Sequence, residues 1–186
     1  MSLYLLALYL HITGALAMFA GLGVEGIVFT NLKNASAPQQ AIPWLGSMRI
    51  LRMVFGYSAV SLLVTGIYLV TISWGWNSWV LTGLVLLVAL SGYGSTTGKK
   101  IAVSIASLLH SDAKSIPDGV KKIISDPLLM KTYKLKITLA LGIIFMMTIK
   151  PGWTGSIVTV VAAFAAGLLL DLPFKQKAEI KELESA

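Results

Sequence analysis

Residues 53–98 read MVFGYSAVSLLVTGIYLVTISWGWNSWVLTGLVLLVALSGYGSTTG and contain no charged side chain. A helix needs about 20 apolar residues to cross the roughly 30 Å hydrocarbon core of a bilayer, so this stretch is long enough for two crossings. In its middle, residues 73–78 read SWGWNS, which favours a turn, and Trp74 and Trp76 suit the headgroup layer. The stretch therefore predicts two spans, at about 54–73 and 77–97, joined by a short interfacial turn.

The composition of the whole chain is typical of a membrane protein. Hydrophobic residues make up 56% of it and charged residues only 12%, whereas about a quarter of the residues in a soluble domain are charged. The chain has no cysteine, which excludes disulfides, cysteine-ligated zinc, iron–sulfur clusters and thiol nucleophiles.

Three further apolar stretches predict spans at about 3–29, 131–149 and 153–170. The first lacks the basic segment of a cleavable signal peptide, so we expect it to be retained. Residues 43–53 mix apolar and basic side chains, as an interfacial helical lead-in to the second span would, and residues 111–127 favour a partly helical cytoplasmic loop. The expected fold class is all-α: a single domain over residues 1–186, forming a polytopic membrane helical bundle of about five transmembrane helices.

The distribution of basic residues predicts the orientation of this bundle. Placing the turns on alternate sides puts 14 of the 15 Lys and Arg residues on one side and leaves Lys150 alone on the other. By the positive-inside rule, the segment 99–130 and the tail 171–186 are cytoplasmic and the N-terminus is outside. The net charge of +7 then needs no nucleic-acid partner. We expect a multi-pass protein of the cytoplasmic membrane of a prokaryote, with the lipid bilayer as its partner.

The first predicted span carries two ionisable residues, which are functional candidates because a charge at membrane depth costs several kcal/mol unless it is paired. Tyr4, His11, Met18 and Glu25 fall at heptad spacing and share one helix face. His11 lies about nine residues into the helix, roughly 13 Å below the outer boundary. Two interpretations stay open: an interhelical hydrogen bond that stabilises the bundle, and an axial ligand to haem iron.

Lys136 is the other candidate, because the uncharged run 137–149 is too short to cross a bilayer unless the span starts earlier. Lys136 is then about two turns inside the cytoplasmic boundary, where a lysine either snorkels outward or finds a partner. Glu25 is predicted at a similar depth in the first span. The two residues could form a structural ion pair, or a relay for protons.

Two stretches resemble known membrane proteins. His11 to Gly23, reading HITGALAMFAGLG, is similar to the first conserved span of the CopD and HemJ membrane proteins, and 133–141, reading YKLKITLAL, is similar to a HemJ segment in which a lysine opens an apolar helix. The resemblance implies haem b binding through His11 and Lys136. The chain looks closest overall to an uncharacterised family of predicted bacterial integral membrane proteins, for which no activity is implied.

Three hypotheses about function follow. The leading one is a haem b protein for electron transfer or tetrapyrrole oxidation, with His11 as axial ligand to the iron and Lys136 as the opposite ligand or a propionate partner. The second is a small ion- or proton-coupled transporter that uses Glu25, Lys136 and Tyr4, with His11 as a further group. The third is a non-catalytic accessory subunit of a membrane complex or homo-oligomer.

Overall fold

The chain forms an all-α helical bundle. A computed structural model describes residues 2–92, 116 and 118–169. The predicted end of the third span (93–97), most of the segment 99–117 and the tail 171–186 lie outside the described residues. The described helices are α1 (Leu3–Asn34), α2 (Pro38–Leu69), α3 (Ser78–Gly92), α4 (Asp118–Ile124), α5 (Pro127–Ile149) and α6 (Trp153–Leu169).

Three helical stretches are long and apolar enough to cross a membrane: α1, the stretch Pro38–Trp74 that begins with α2, and the stretch Asp118–Ile149 formed by α4 and α5. The helices α3 and α6 are apolar but shorter within the described residues. Large aliphatic side chains such as Leu16, Val64 and Val85 are exposed to about 64–65%. Apolar side chains directed outward are expected where lipid rather than water surrounds a protein, so they are consistent with a membrane protein.

The second helix is longer than its predicted span. It runs without a break from Pro38, includes the stretch 43–53 predicted as an interfacial lead-in, and continues through a π-helical turn at Val70–Trp74. The early residues stay helical because Ala41, Leu45 and Met48 are buried in a cluster with Val28 and Leu32 of α1. The polypeptide then turns at Gly75, which has a φ of 70°, close to the predicted turn.

The helices pack mainly as two neighbouring pairs, α1 along α2 and α5 along α6, with α1 also touching α5 and α4. One apolar core joins these elements with α3 and includes Met18, Leu62, Leu86, Leu139 and Met146. The second cluster lies where Val120 of α4 covers the end of α1 and the start of α2. The face of α1 that carries His11 and Glu25 is therefore directed into the bundle, toward α2 and α5.

Candidate functional site: a histidine-lined cavity and a buried ion pair

His11 is held against α2 by a specific hydrogen bond. Its Nδ1 atom lies 3.0 Å from Oγ1 of Thr65. Gly66 provides the room for this approach, since a Cβ there would lie 3.2 Å from Cε1 of the imidazole. On another side, the indole of Trp74 meets the ring edge to face, with 6.0 Å between centroids. These three contacts fix both the position and the orientation of the ring.

The hydrogen bonds of Thr65 assign the tautomer of His11. A threonine hydroxyl has one hydrogen, and Thr65 donates it to the backbone carbonyl of Ser61 at 2.5 Å. With the Thr65 hydrogen on the Ser61 carbonyl, this network assigns the Thr65 oxygen as acceptor and the His11 hydrogen to Nδ1. Nε2 is left as the nitrogen with the lone pair, the form that binds metals or accepts hydrogen bonds.

A cavity of about 70 Å³ lies beside His11. Its walls come from α2, α3 and α5 and, apart from the Met147 thioether, are aliphatic, aromatic or glycine, among them Leu62, Val70, Leu84, Leu87 and Ile143. The π-helical turn contributes Val70 and Trp74, and π-helical segments are frequent at functional sites. Ile67 and Trp76 at the rim are 47% and 57% exposed, so the cavity opens to the surface of the bundle.

Glu25 and Lys136 form an ion pair inside the bundle. The Lys136 ammonium contacts both carboxylate oxygens of Glu25, with a distance of 2.6 Å to Oε2. The two residues are only 3–4% exposed. Neither side chain therefore reaches water, so each neutralises a charge that would otherwise be isolated in a medium of low dielectric constant.

Aromatic rings enclose this ion pair, and glycines of α1 make room for them. The ring of Phe55 lies 5.4 Å from the Lys136 ammonium, and a Cβ at Gly21 would lie 3.0 Å from that ring. Tyr133 packs so closely over Gly26 that a Cβ there would lie 2.7 Å from its Cζ. These aromatic residues exclude water from the pair and fix its position between α1, α2 and α5.

His11 and Lys136 are not brought together. Lys136 pairs with Glu25, which follows His11 by 14 residues on one helix, a separation of about 21 Å along the axis at 1.5 Å per residue. Axial ligands to one iron must lie on opposite faces of the same porphyrin, so at this separation Lys136 does not lie opposite His11. A haem held by His11, with Lys136 as a propionate partner, stays a prediction. The cavity of about 70 Å³ is below the roughly 300–1,000 Å³ of pockets that enclose drug-sized ligands.

The other two residues predicted on the same face of α1 as His11 and Glu25 are Tyr4 and Met18. Tyr4 is half-buried about two turns before His11, and Met18 belongs to the apolar core between the two polar positions. Thr65 and Gly66, the neighbours that orient His11, were not predicted from the sequence. Nor were the contacts of Lys150, whose ammonium lies 5.9 Å from the Trp74 ring and 5.4 Å from the Trp79 ring. Its left-handed backbone, with φ of 52° at the end of α5, is an unusual conformation for a lysine.

Within residues 2–92, 116 and 118–169, no group of three or more His, Cys, Asp or Glu side chains could hold a metal ion. Comparisons with protein-family models, with curated proteins and with solved structures find no match to this chain. Two places along α1 hold the candidate functional groups of the described bundle: the His11 cavity and the Glu25–Lys136 pair.

Proposed function

We propose that this protein binds the head of a lipid-soluble small molecule in the cavity beside His11. The observation that carries the proposal is an apolar cavity with one oriented imidazole in its wall. Binding sites for small molecules are mostly apolar, with a few placed polar groups that orient the ligand. The cavity volume suits one ring or the end of a chain, while the rest of such a ligand would extend past Ile67 and Trp76 into lipid.

The proposed setting is a bundle of five spans in the cytoplasmic membrane of a prokaryote, with the N-terminus outside. The 14-to-1 distribution of basic residues supports this orientation. Trp74 and Trp76 then lie at the outer headgroup layer beside Lys150. In this orientation the cavity belongs to the outer half of the membrane and the Glu25–Lys136 pair to the inner half, so a ligand would enter laterally from the outer leaflet.

Equilibrium binding of radiolabelled nonylphenol to the protein in lipid nanodiscs tests the proposal. We expect saturable binding near one equivalent per chain, and at least a tenfold loss of affinity in Leu84→Trp, because the indole would fill the cavity that Leu84 lines. Val85→Trp is the matched control: it adds the same ring to the same helix at a position that is 65% exposed and outside the cavity.

The contrary result is also well defined. Nonylphenol will partition into any bilayer, so uptake that is equal for wild type, Leu84→Trp and empty nanodiscs would show that the cavity takes no ligand of this kind. A loss of affinity in Val85→Trp as large as that in Leu84→Trp would assign the effect to disturbed packing of α3 rather than to filling of the cavity.

A further inference from the structure

We infer that the ligand head donates a hydrogen bond to His11, which makes the ligand a lipid-soluble phenol or hydroquinone rather than a quinone, ketone or ether. This inference rests on the proposed function, because it names the chemical class that the same cavity would take. It follows from the hydrogen bonds on the far side of the imidazole, at Thr65 and Ser61.

The first step concerns the proton on the imidazole. Thr65 gives its one hydroxyl hydrogen to the Ser61 carbonyl, so it can only accept from His11 Nδ1. Nε2 then presents a lone pair and no hydrogen. A carbonyl oxygen of a ligand placed against Nε2 would bring two acceptors together, whereas a hydroxyl would donate to it.

The second step concerns what else could satisfy Nε2. A buried water needs two to four polar partners, and among the cavity residues the imidazole is the one strong side-chain acceptor, since the Met147 thioether accepts only weakly. The indoles of Trp74 and Trp76 are donors. A phenolic hydroxyl suits both kinds of neighbour, because it can donate to Nε2 and accept from an indole while its ring lies against aliphatic walls.

The third step concerns size. A cavity of about 70 Å³ holds far less than a macrocycle, so the head must be small. The space over Gly66 and Gly83 is taken by His11 and Met147, so the head must fit between these side chains. An aromatic alcohol with an apolar tail in the lipid meets the size and hydrogen-bonding requirements together.

The test compares three probes that share one alkyl tail: nonylphenol, its methyl ether, and the corresponding benzoquinone. The methyl ether keeps the oxygen acceptor and loses the donor, but it adds a methyl group, whose steric effect the His11→Phe comparison controls. With wild-type protein in nanodiscs we expect nonylphenol to bind about tenfold more tightly than either of the other two. His11→Phe should abolish this preference while leaving the affinity for the methyl ether within about twofold.

Thr65→Val has an expected result that a merely structural role of His11 would not explain. It removes the acceptor at Nδ1, so the proton can move to Nε2, and we expect the quinone to gain affinity relative to the phenol. Thr148→Val is the matched control, because Thr148 is exposed and its hydroxyl bonds only carbonyls of its own helix.

The outcomes separate the inference from the proposed function. Equal saturable binding of phenol and methyl ether, sensitive to Leu84→Trp, would overturn the donor inference and keep the cavity as a ligand site. Tighter binding of the quinone to wild type would also overturn the inference. Absence of saturable binding for all three probes would remove the proposed function itself. If Thr65→Val does not fold, the wild-type comparison of phenol with methyl ether decides.

Discussion

Replacing Lys136 with methionine is expected to lower the free energy of unfolding by about 3–5 kcal/mol, because it leaves the Glu25 carboxylate buried without a partner. Both side chains are almost fully buried, and they are the only buried charged side chains among the described residues. Glu25→Leu should lower the free energy of unfolding by a similar amount, because it leaves the Lys136 ammonium buried without a carboxylate. Reversible unfolding in mixed micelles of a mild detergent and dodecyl sulfate measures these free energies.

The double variant Glu25→Leu/Lys136→Met is expected to recover most of this loss, since a buried ion pair can often be exchanged for apolar residues of similar volume at little cost. Lys131→Met serves as the control, because Lys131 is exposed on the same helix. Additive losses in the double variant would contradict a mainly electrostatic coupling between the two residues.

The same variants bear on the proton-relay hypothesis for this pair. A double variant that is stable and still binds nonylphenol would assign the ion pair a structural role, separate from the His11 cavity about 21 Å away. A double variant that is stable but no longer binds would instead show that the two places on α1 are coupled, and would favour a transport cycle over simple binding.

Gly26→Ala is expected to lower the free energy of unfolding by about 1–3 kcal/mol, the usual range for overpacking. The added methyl group would overlap the phenol of Tyr133, with 2.7 Å to Cζ and the hydroxyl closer still. The ring would have to leave its place against Phe29. Unfolding in the same mixed micelles measures the change.

Gly23→Ala is the matched control, since a Cβ at position 23 meets nothing within 4 Å, and we expect it to be neutral or slightly stabilising. Adding Tyr133→Phe to Gly26→Ala should restore part of the lost stability by removing the hydroxyl that lies closest. Equal effects of alanine at positions 23 and 26 would show that the close packing of Tyr133 against α1 has no energetic weight.

Hydropathy and helix geometry predicted much of this architecture from the sequence. The apolar runs fall on α1, α3, α5 and α6, because bilayer thickness sets the length of a span, but α1 continues to Asn34 and α5 begins at Pro127. Residues 43–53 were predicted as a helical lead-in at the interface. Their continuity with α2 was not predicted, since residues 38–53 contain Pro43, Arg49 and Arg52 and do not look like a span. That part of the helix depends on packing against α1 and α4, which hydropathy does not report.

The candidate site was only partly predictable. Depth in the membrane singled out His11, Glu25 and Lys136, and the heptad spacing gave the face of α1 that points inward. Thr65 and Gly66 contact His11 because of how α1 and α2 are aligned along each other. The periodicity of one helix does not predict its alignment with a second helix. The resemblance to haem proteins joined His11 to Lys136, although Glu25, the partner of Lys136, follows His11 by 14 residues, about 21 Å along the helix axis.

The direct measurement is the ¹⁵N NMR spectrum of histidine-labelled protein in lipid, with and without nonylphenol. The chain has two histidines, so His110→Gln assigns the signals of His11. We predict a neutral imidazole with its hydrogen on Nδ1, and an unprotonated Nε2 whose resonance moves as the ligand saturates the cavity. A hydrogen on Nε2, an imidazolium, or an Nε2 resonance that stays unchanged at saturation would contradict the proposed role of His11.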